Sequence, residues 1–236
     1  AASIYPAILL SSFKPIEALK GKASSGVGGS GFRKVLVVAQ FVFSVALIIS
    51  TIVISLQLKY IHERDLGYNK EHVFSFNMQE KMIPHFQAVR NELMKSRGVV
   101  DVSFANSNIV GVNSTTGDTD WDGKEPDRSF LIHGNAVDEH FIPLFNIKMA
   151  EGANFTGVRS DSAHIILNET AVREAGIKNP VGKRFRLWDK DRTIIGVMKD
   201  FNYASLKQRI EPSAYFYSTQ YNPRVFIRTN GKDASN

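Results

Sequence analysis

Three alternating aspartates form a compact group of potential metal ligands. Asp118, Asp120 and Asp122 are followed by Gly123 in a D-x-D-x-D-G pattern, which supplies the first ligands of an EF-hand calcium loop. That loop also requires a bidentate glutamate at its twelfth position, and Ser129 occupies this position here. Because aspartates in turns also accept hydrogen bonds from the local backbone, the pattern favours a turn over a tight calcium site.

Other residues that commonly carry catalysis or bind metals are sparse. The chain contains no cysteine, which excludes disulfides, zinc–thiolate sites, iron–sulfur clusters and a cysteine nucleophile. Its histidines form no H-E-x-x-H motif, and there is no G-x-S-x-G nucleophile elbow. The sequence therefore predicts no catalytic residue, no metal and no cofactor, with surface or packing roles for the histidines. These are His62, His72, His85, His133, His140 and His164.

A glycine motif resembles a nucleotide-binding fingerprint only in its letters. Gly26, Gly28 and Gly31 spell G-x-G-x-x-G inside the segment 20–31, KGKASSGVGGSG. A dinucleotide fingerprint requires a strand before it and an acidic residue about 20 positions later. Neither pattern is present, and no Walker-type phosphate loop occurs in the chain. We therefore expect segment 20–31 to be a flexible linker.

An uncharged run at residues 35–58 predicts a membrane-spanning helix. Its 24 residues include 18 apolar ones, and a helix of this length spans roughly 36 Å, enough to cross a bilayer core of about 30 Å. A buried core helix is rarely so long and apolar, a signal peptide has a shorter apolar region, and an interfacial helix needs a strongly polar face. We expect the helix to continue as a stalk through Ile61, to stop near Gly67, and to place Tyr60 and Tyr68 at the membrane interface.

The charges flanking this run predict its direction. Five of the basic residues precede it, against one acidic residue, whereas residues 59–65 contain two of each sign. The positive-inside rule therefore places residues 1–34 in the cytoplasm and residues 59–236 outside it. The net charge of +6 is concentrated before the span, which argues against a nucleic-acid partner. The five basic residues are Lys14, Lys20, Lys22, Arg33 and Lys34.

The first part of the outer segment predicts a strand–helix–strand unit. Phe74, Phe76 and Met78 alternate with polar residues, and apolar residues alternate again at 100–104, so we expect two half-buried strands. Between them, apolar residues at 82–93 have the spacing of one helical face. Together with the strands predicted further on, this unit makes the outer part α+β.

The remaining segments predict a loop-rich insertion followed by further strands and a helix. Residues 106–128 are rich in Asn, Ser, Thr, Gly and Asp and indicate a long loop or a small inserted lobe. A strand beginning at His164 should lead into a helix capped by Asn168 and stopped by Gly176. Further strands are expected at 184–188, 193–198, 214–217 and 225–228.

Aromatic residues near the end of the chain could line a ligand groove or fill a core. Their positions on predicted strands favour the packed core. They are Phe201, Tyr203, Tyr215, Phe216, Tyr217, Tyr221 and Phe226.

Several stretches together resemble ABC transporter permeases of the MacB/FtsX type, especially the tandem form of Bacteroidetes-like bacteria. Residues 5–21, YPAILLSSFKPIEALKG, are similar to the end of a preceding repeat, and residues 32–49, FRKVLVVAQFVFSVALII, to the first membrane helix of the next. Residues 165–185 and 194–212 are similar to the family's extracytoplasmic core domain. The apolar start without a methionine also indicates a fragment.

The resemblance implies a non-catalytic permease subunit in a bacterial inner membrane. Its expected partners are a separate ABC ATPase, a second permease copy, membrane lipid and a periplasmic peptide or protein. The implied organisation is a cytoplasmic linker with the tail of a preceding membrane helix at 1–34, a membrane helix at 35–58, and a periplasmic core domain at 59–236 that is truncated at its C-terminal end. That domain would combine a porter-like subdomain with an inserted second lobe.

Two other functions fit the same pattern of one span and an outer domain. A single-span sensor receptor would bind a ligand outside and signal inward, and a regulator of a cell-wall hydrolase would bind an enzyme outside without moving a solute. The apolar segment 1–10 favours the permease, because it is similar to the end of another membrane helix.

Overall fold

The computed structural model of the chain divides into two units, residues 1–64 and residues 65–236. The residues that it describes are 27–63, 66–110, 114–202, 209–218 and 223–231.

The first unit contains a long helix, α1 (Val27–Glu63). Its segment Gly31–Ile61 is long and apolar enough to cross a membrane, and none of its most apolar stretch is buried. The hydroxyls of Ser50 and Thr51 donate to backbone carbonyls four residues earlier, each at 2.8 Å. These bonds satisfy polar groups inside the apolar run.

The start of α1 corrects the predicted linker, because residues 27–31 are helical. Gly28 and Gly31 each cost about 1 kcal/mol relative to alanine in a helix. Propagation from the long apolar run that follows outweighs this cost, since each added residue closes a hydrogen bond on an existing helix. Residues 20–26 lie outside the described residues. The predicted continuation through Ile61 is confirmed.

The second unit is a mixed α/β domain, as the α+β prediction requires. Its helices are α2 (Phe86–Met94), α3 (Phe141–Leu144) and α4 (Glu169–Ala175), with 3₁₀ turns at Glu80–His85 and Arg159–Ala163. Its strands are β1 (Val73–Asn77), β2 (Val99–Ala105), β3 (Thr115–Thr116), β4 (Thr119–Trp121), β5 (Ile132–Val137), β6 (Met149–Gly152), β7 (His164–Asn168), β8 (Arg184–Leu187), β9 (Lys190–Met198), β10 (Ser213–Tyr217) and β11 (Arg224–Thr229).

These strands form one 11-stranded sheet in the order β1-β11-β2-β5-β10-β7-β9-β8-β4, with β3 on β5 and β6 on β9. Two neighbouring pairs, β5 with β10 and β7 with β9, are parallel. The other pairs are antiparallel. The sheet is thus mixed and built largely from segments distant in sequence.

The predicted strand–helix–strand unit forms one end of this sheet. Strands β1 and β2 are both antiparallel to β11, which lies between them, so the two are parallel to each other. Helix α2 packs Phe86, Val89 and Leu93 against Val102 and Phe104 of β2. The rings of Phe86 and Phe104 meet edge-on at 5.6 Å. The predicted helical face is confirmed for these three residues.

The burial predicted for β1 is wrong. The strand forms, but the side chains of Phe74 and Phe76 are 55% and 42% exposed, and only Met78 of the alternating set is buried. Strand β1 lies at the edge of the sheet, and the cluster beneath α2 includes neither phenylalanine. Met82 is also exposed, because it belongs to the 3₁₀ turn that precedes α2.

The caps predicted for α4 are confirmed. The side chain of Asn168 accepts the Ala171 N–H, and Gly176 ends the helix in the left-handed conformation with φ +67°. Tyr68, in contrast, is not at an interface as expected. It is buried in the core of the second unit, with its ring 5.6 Å from that of Phe201.

Candidate functional site

The acidic segment, residues 118–122, forms an ion-pair cluster centred on Arg184. The guanidinium of Arg184 binds Asp120 at 2.6 Å, Asp122 at 3.1 Å and Asp191 at 2.8 Å. The hydrogen bond from Arg184 lowers the pKa of Asp120. Two of the potential metal ligands are therefore already engaged by a cation that β8 places beside β4.

The turn prediction is confirmed at the two ends of this run but not in its middle, because Asp120 lies in strand β4. The Asp118 N–H donates to Thr116 Oγ1 at 2.9 Å, and Gly123 has a φ of +85°. These features match a turn stabilised by local hydrogen bonds. The structure thus places the aspartates together but directs Asp120 and Asp122 toward an arginine.

Three histidines lie beside carboxylates. His133 bridges Thr115, at 3.0 Å from its hydroxyl, and Glu211. His164 lies 3.0 Å from the carboxylate of Asp161. These contacts join neighbouring segments of the fold.

His140 belongs to a network between α2 and the sheet. Its two ring nitrogens lie 3.5 Å from Asp101 and 3.4 Å from Glu139, and Arg90 pairs with Asp101 at 3.2 Å. Across the described residues, no group of three or more His, Asp or Glu side chains is placed to hold a metal. Two other histidines, His72 and His85, are exposed, and the side chain of His62 lies outside the described residues.

A buried carboxylate that the sequence did not single out joins β2 to the segment before α3. Asp138 accepts hydrogen bonds from Ser103 Oγ at 2.6 Å, the Phe104 N–H at 2.9 Å and the His140 N–H at 3.2 Å. Burial raises the pKa of its carboxyl to about 7, although these hydrogen bonds lower it. No local pattern distinguishes Asp138 from the other scattered acidic residues, because its partners on β2 are over 30 residues away.

The aromatic set fills the core, as predicted, where the structure describes it. Phe201, Tyr215 and Phe226 are buried, and Phe216 and Tyr217 pack partly buried against the core clusters. Tyr203 and Tyr221 lie outside the described residues.

A groove of about 860 Å³ lies where β1 and β2 end and β11 begins. We call it the polar groove. Backbone hydrogen bonds fix its walls: the Met78 N–H donates to the Pro223 carbonyl at 2.6 Å, and the Asn106 N–H to the Ala136 carbonyl at 2.9 Å. Its lining includes Asn77, Ile83, Asn106, Asn108, Val110 and Arg224.

The lining of the polar groove combines amides and a guanidinium with aliphatic side chains. Amides both donate and accept hydrogen bonds, so this lining can pair with the backbone of an extended peptide while the aliphatic residues contact its side chains. The sequence indicated only a polar loop for part of this region, at 106–128. The groove was missed because it joins three separate segments.

The comparisons with known proteins agree with this architecture. A family model described as the MacB-like periplasmic core domain matches residues 36–234. Among curated proteins, none matches the chain.

Three solved structures are similar to parts of this chain. The periplasmic region of MacB from Actinobacillus actinomycetemcomitans has a TM-score of 0.50 and 16% identity, covering 73% of this chain and 81% of that one. The extracellular domain of the noncanonic ABC-type transporter YknZ from Gram-positive bacteria has a TM-score of 0.46 and 18% identity, covering 67% and 75%. A domain of a putative permease from Porphyromonas gingivalis has a TM-score of 0.48 and 14% identity, covering 69% and 75%.

The family match extends over most of the chain and includes most of the apolar segment of α1. The resemblance noted in residues 32–49, 165–185 and 194–212 is thereby confirmed. The chain belongs to the family of MacB-like periplasmic core domains, found in permeases of ABC transporters.

Proposed function

We propose that the chain is the membrane-anchored outer part of a permease subunit that couples a partner ABC ATPase to movement of a periplasmic domain, for export or mechanotransmission. One observation carries this proposal. A helix long and apolar enough to span a bilayer, Gly31–Ile61, precedes a MacB-like core domain in the same chain. A helix is stiff enough to transmit a rigid-body displacement from one side of a membrane to the other.

The proposed placement follows from the charges. Residues 1–34 lie in the cytoplasm, residues 35–58 cross the bacterial inner membrane, and residues 59–236 lie in the periplasm. The basic residues that precede the span support this direction. A second permease copy completes the assembly, and the subunit itself is non-catalytic.

The polar groove is the proposed contact site for a periplasmic peptide or protein. Its support is the row of hydrogen-bonding side chains, Asn77, Asn106 and Asn108, beside the aliphatic Ile83 and Val110. An extended segment would satisfy its backbone groups on these amides. This role assigns to the groove the cargo contact expected of the domain.

Copurification with an ATPase tests the proposed function. The complete protein, extracted from its own membranes in a mild detergent, is expected to retain an ATPase subunit, detected by mass spectrometry and by ATP hydrolysis in the eluate. A variant with Leu47→Lys and Ile48→Lys provides the control, because two charges at the centre of the span oppose insertion. Recovery of the intact, membrane-extracted protein without any ATPase would contradict the permease assignment.

A further inference from the structure

A second cavity, separate from the polar groove, is formed by three segments of the outer domain. It has a volume of about 490 Å³ and lies between residues 66–69, residues 146–148 and residues 199–202. Its lining includes Asn69, Asn146, Lys148, Lys199 and Asn202. We call it the lysine cavity.

The two lysines of this cavity stand opposite each other in an extended ladder. The Lys199 N–H donates to the Lys148 carbonyl at 2.8 Å, and Met149 and Met198 are the next partners along the strands β6 and β9. Side chains directly opposite in such a ladder have Cβ atoms about 4.5–5.5 Å apart, and like charges in this position destabilise the pairing. Two exposed lysine side chains thus start from directly opposite positions at the edge of the cavity.

The lining also contains one carboxylate, that of Asp200, and residues of α4 engage it. Asp200 accepts the Thr170 N–H at 3.0 Å and the Thr170 hydroxyl at 2.7 Å, and it lies 3.9 Å from Arg173. None of the ion pairs found among the described residues includes Lys148 or Lys199. Among the described residues the two lysines thus have no carboxylate partner, which leaves both ammonium groups able to bind an anion from outside the chain.

The rest of the lining supplies fixed hydrogen-bond donors. The Asn69 N–H donates to the Phe145 carbonyl and the Asn202 N–H to the Leu66 carbonyl, both at 2.8 Å, so the backbone that carries these amides is held in place. The Asn69 side-chain oxygen accepts the Glu71 N–H at 2.8 Å, which leaves its amino group as a donor. Ammonium and amide donors around one space suit an acceptor with several oxygens.

We propose that the lysine cavity binds a phosphate-type anion, either the phosphate of a lipid headgroup or a free phosphate. In this proposal the oxygens of one phosphate accept hydrogen bonds from both ammonium groups and from the amides, and its negative charge attracts the two lysines. A lipid source is compatible with the chain, because residue 66 follows the last residue of α1, Glu63, by only three positions. Anion binding at this cavity requires no ATPase partner.

Thermal unfolding of the full chain in neutral detergent micelles tests this site. The probes are inorganic phosphate and dihexanoyl phosphatidylglycerol. Sodium chloride controls for ionic strength, and dihexanoyl phosphatidylcholine, whose choline neutralises its phosphate, controls for the net negative charge of the lipid. The double variant Lys148→Gln/Lys199→Gln is compared with Lys81→Gln/Lys190→Gln, which removes the same charge from exposed positions. Near saturation we expect a rise in Tm of at least about 2 °C for the parent and for the Lys81/Lys190 variant. Lys148→Gln/Lys199→Gln should show no such rise in Tm.

Two further results separate a binding site from a packing role. Lys148→Arg/Lys199→Arg should keep the response, because it keeps both charges. Without any anion, Lys148→Gln/Lys199→Gln should unfold no earlier than the parent, since it removes a repulsion. A response to inorganic phosphate identifies a soluble anion, and a response to phosphatidylglycerol alone identifies the lipid headgroup. An unchanged Tm with both probes, or an equal response in both Gln variants, would overturn the proposal.

Discussion

At the residue scale, one guanidinium pairs with the carboxylates of the acidic segment and its neighbour on β9. Arg184 binds Asp120, Asp122 and Asp191 with a planar fork that an ammonium group does not have. We expect Arg184→Gln to lower Tm, because the three carboxylates then repel one another, and Arg184→Lys to be intermediate. The loss should be larger at low ionic strength, where exposed charges are screened less. Melting curves of the three proteins at 20 mM and 500 mM salt check this, and a salt-independent difference would argue against the ion-pair account.

A second prediction concerns the buried carboxyl of Asp138. Its pKa is about 7 in the folded chain against 3.8 for an ordinary aspartate, so the folded state binds the proton more tightly. Its contribution to the free energy of unfolding is therefore full below about pH 4 and is lost as the pH rises through about 7.

The variant Asp138→Asn isolates this effect. The amide keeps an acceptor for Ser103 but presents a donor to the Phe104 N–H, which we expect to cost about 1–3 kcal/mol. The free energy of unfolding, measured in urea at pH 4.5, 6 and 7.5, should then fall with pH more steeply in the parent than in the variant. Parallel pH profiles would show that Asp138 is ionised throughout.

At the scale of the elements, two phenylalanines at the same end of the sheet should differ in their effect on stability. Phe104 of β2 is buried beneath α2, so Phe104→Ala should cost about 3–5 kcal/mol. Phe74 of β1 is exposed, and Phe74→Ser should change the free energy of unfolding by no more than about 0.5 kcal/mol. Urea unfolding of both variants measures this contrast, and a large loss for Phe74→Ser would mean that β1 is covered in solution.

Local periodicity predicted the elements that have one buried and one exposed face. Helix α2 and the caps of α4 follow from it, because spacing and cap residues act within a few positions. Strand β2 forms where it was predicted, but its burial does not alternate as expected, since Val100 is exposed and residues 102–105 are all buried. Strand β5 was not predicted, because residues 134–137 are all buried and show no alternation of apolar and polar side chains. The turn between β8 and β9 was also missed, because Trp188 and Asp189 adopt positive φ without the usual asparagine or glycine.

The sites depended on pairings that local patterns do not contain. The lysine cavity forms because β6 pairs with β9, which brings together residues about 50 positions apart. The polar groove likewise needs β11 beside β1. Periodicity identifies which residues face inward, but the order of strands in a sheet is fixed by the packing of the whole domain.

At the scale of the molecule, the proposed coupling between an ATPase and the outer domain depends on the membrane helix. The excess of positive charge lies before residues 35–58 and the outer domain after them, so the two ends of the helix should face different compartments. A displacement can pass from a cytoplasmic ATPase to the outer domain only if this topology holds. The absence of native cysteines allows it to be measured with single introduced thiols.

The most direct measurement is labelling of Ala23→Cys and Lys190→Cys by a membrane-impermeant maleimide in spheroplasts. We predict that Lys190→Cys reacts in intact spheroplasts, because this exposed position lies in the domain that we propose to be periplasmic. Ala23→Cys should react only after the membrane is permeabilised. Labelling of both positions in intact spheroplasts, of neither, or of Ala23→Cys alone would contradict the account, as would recovery of the chain in the soluble fraction.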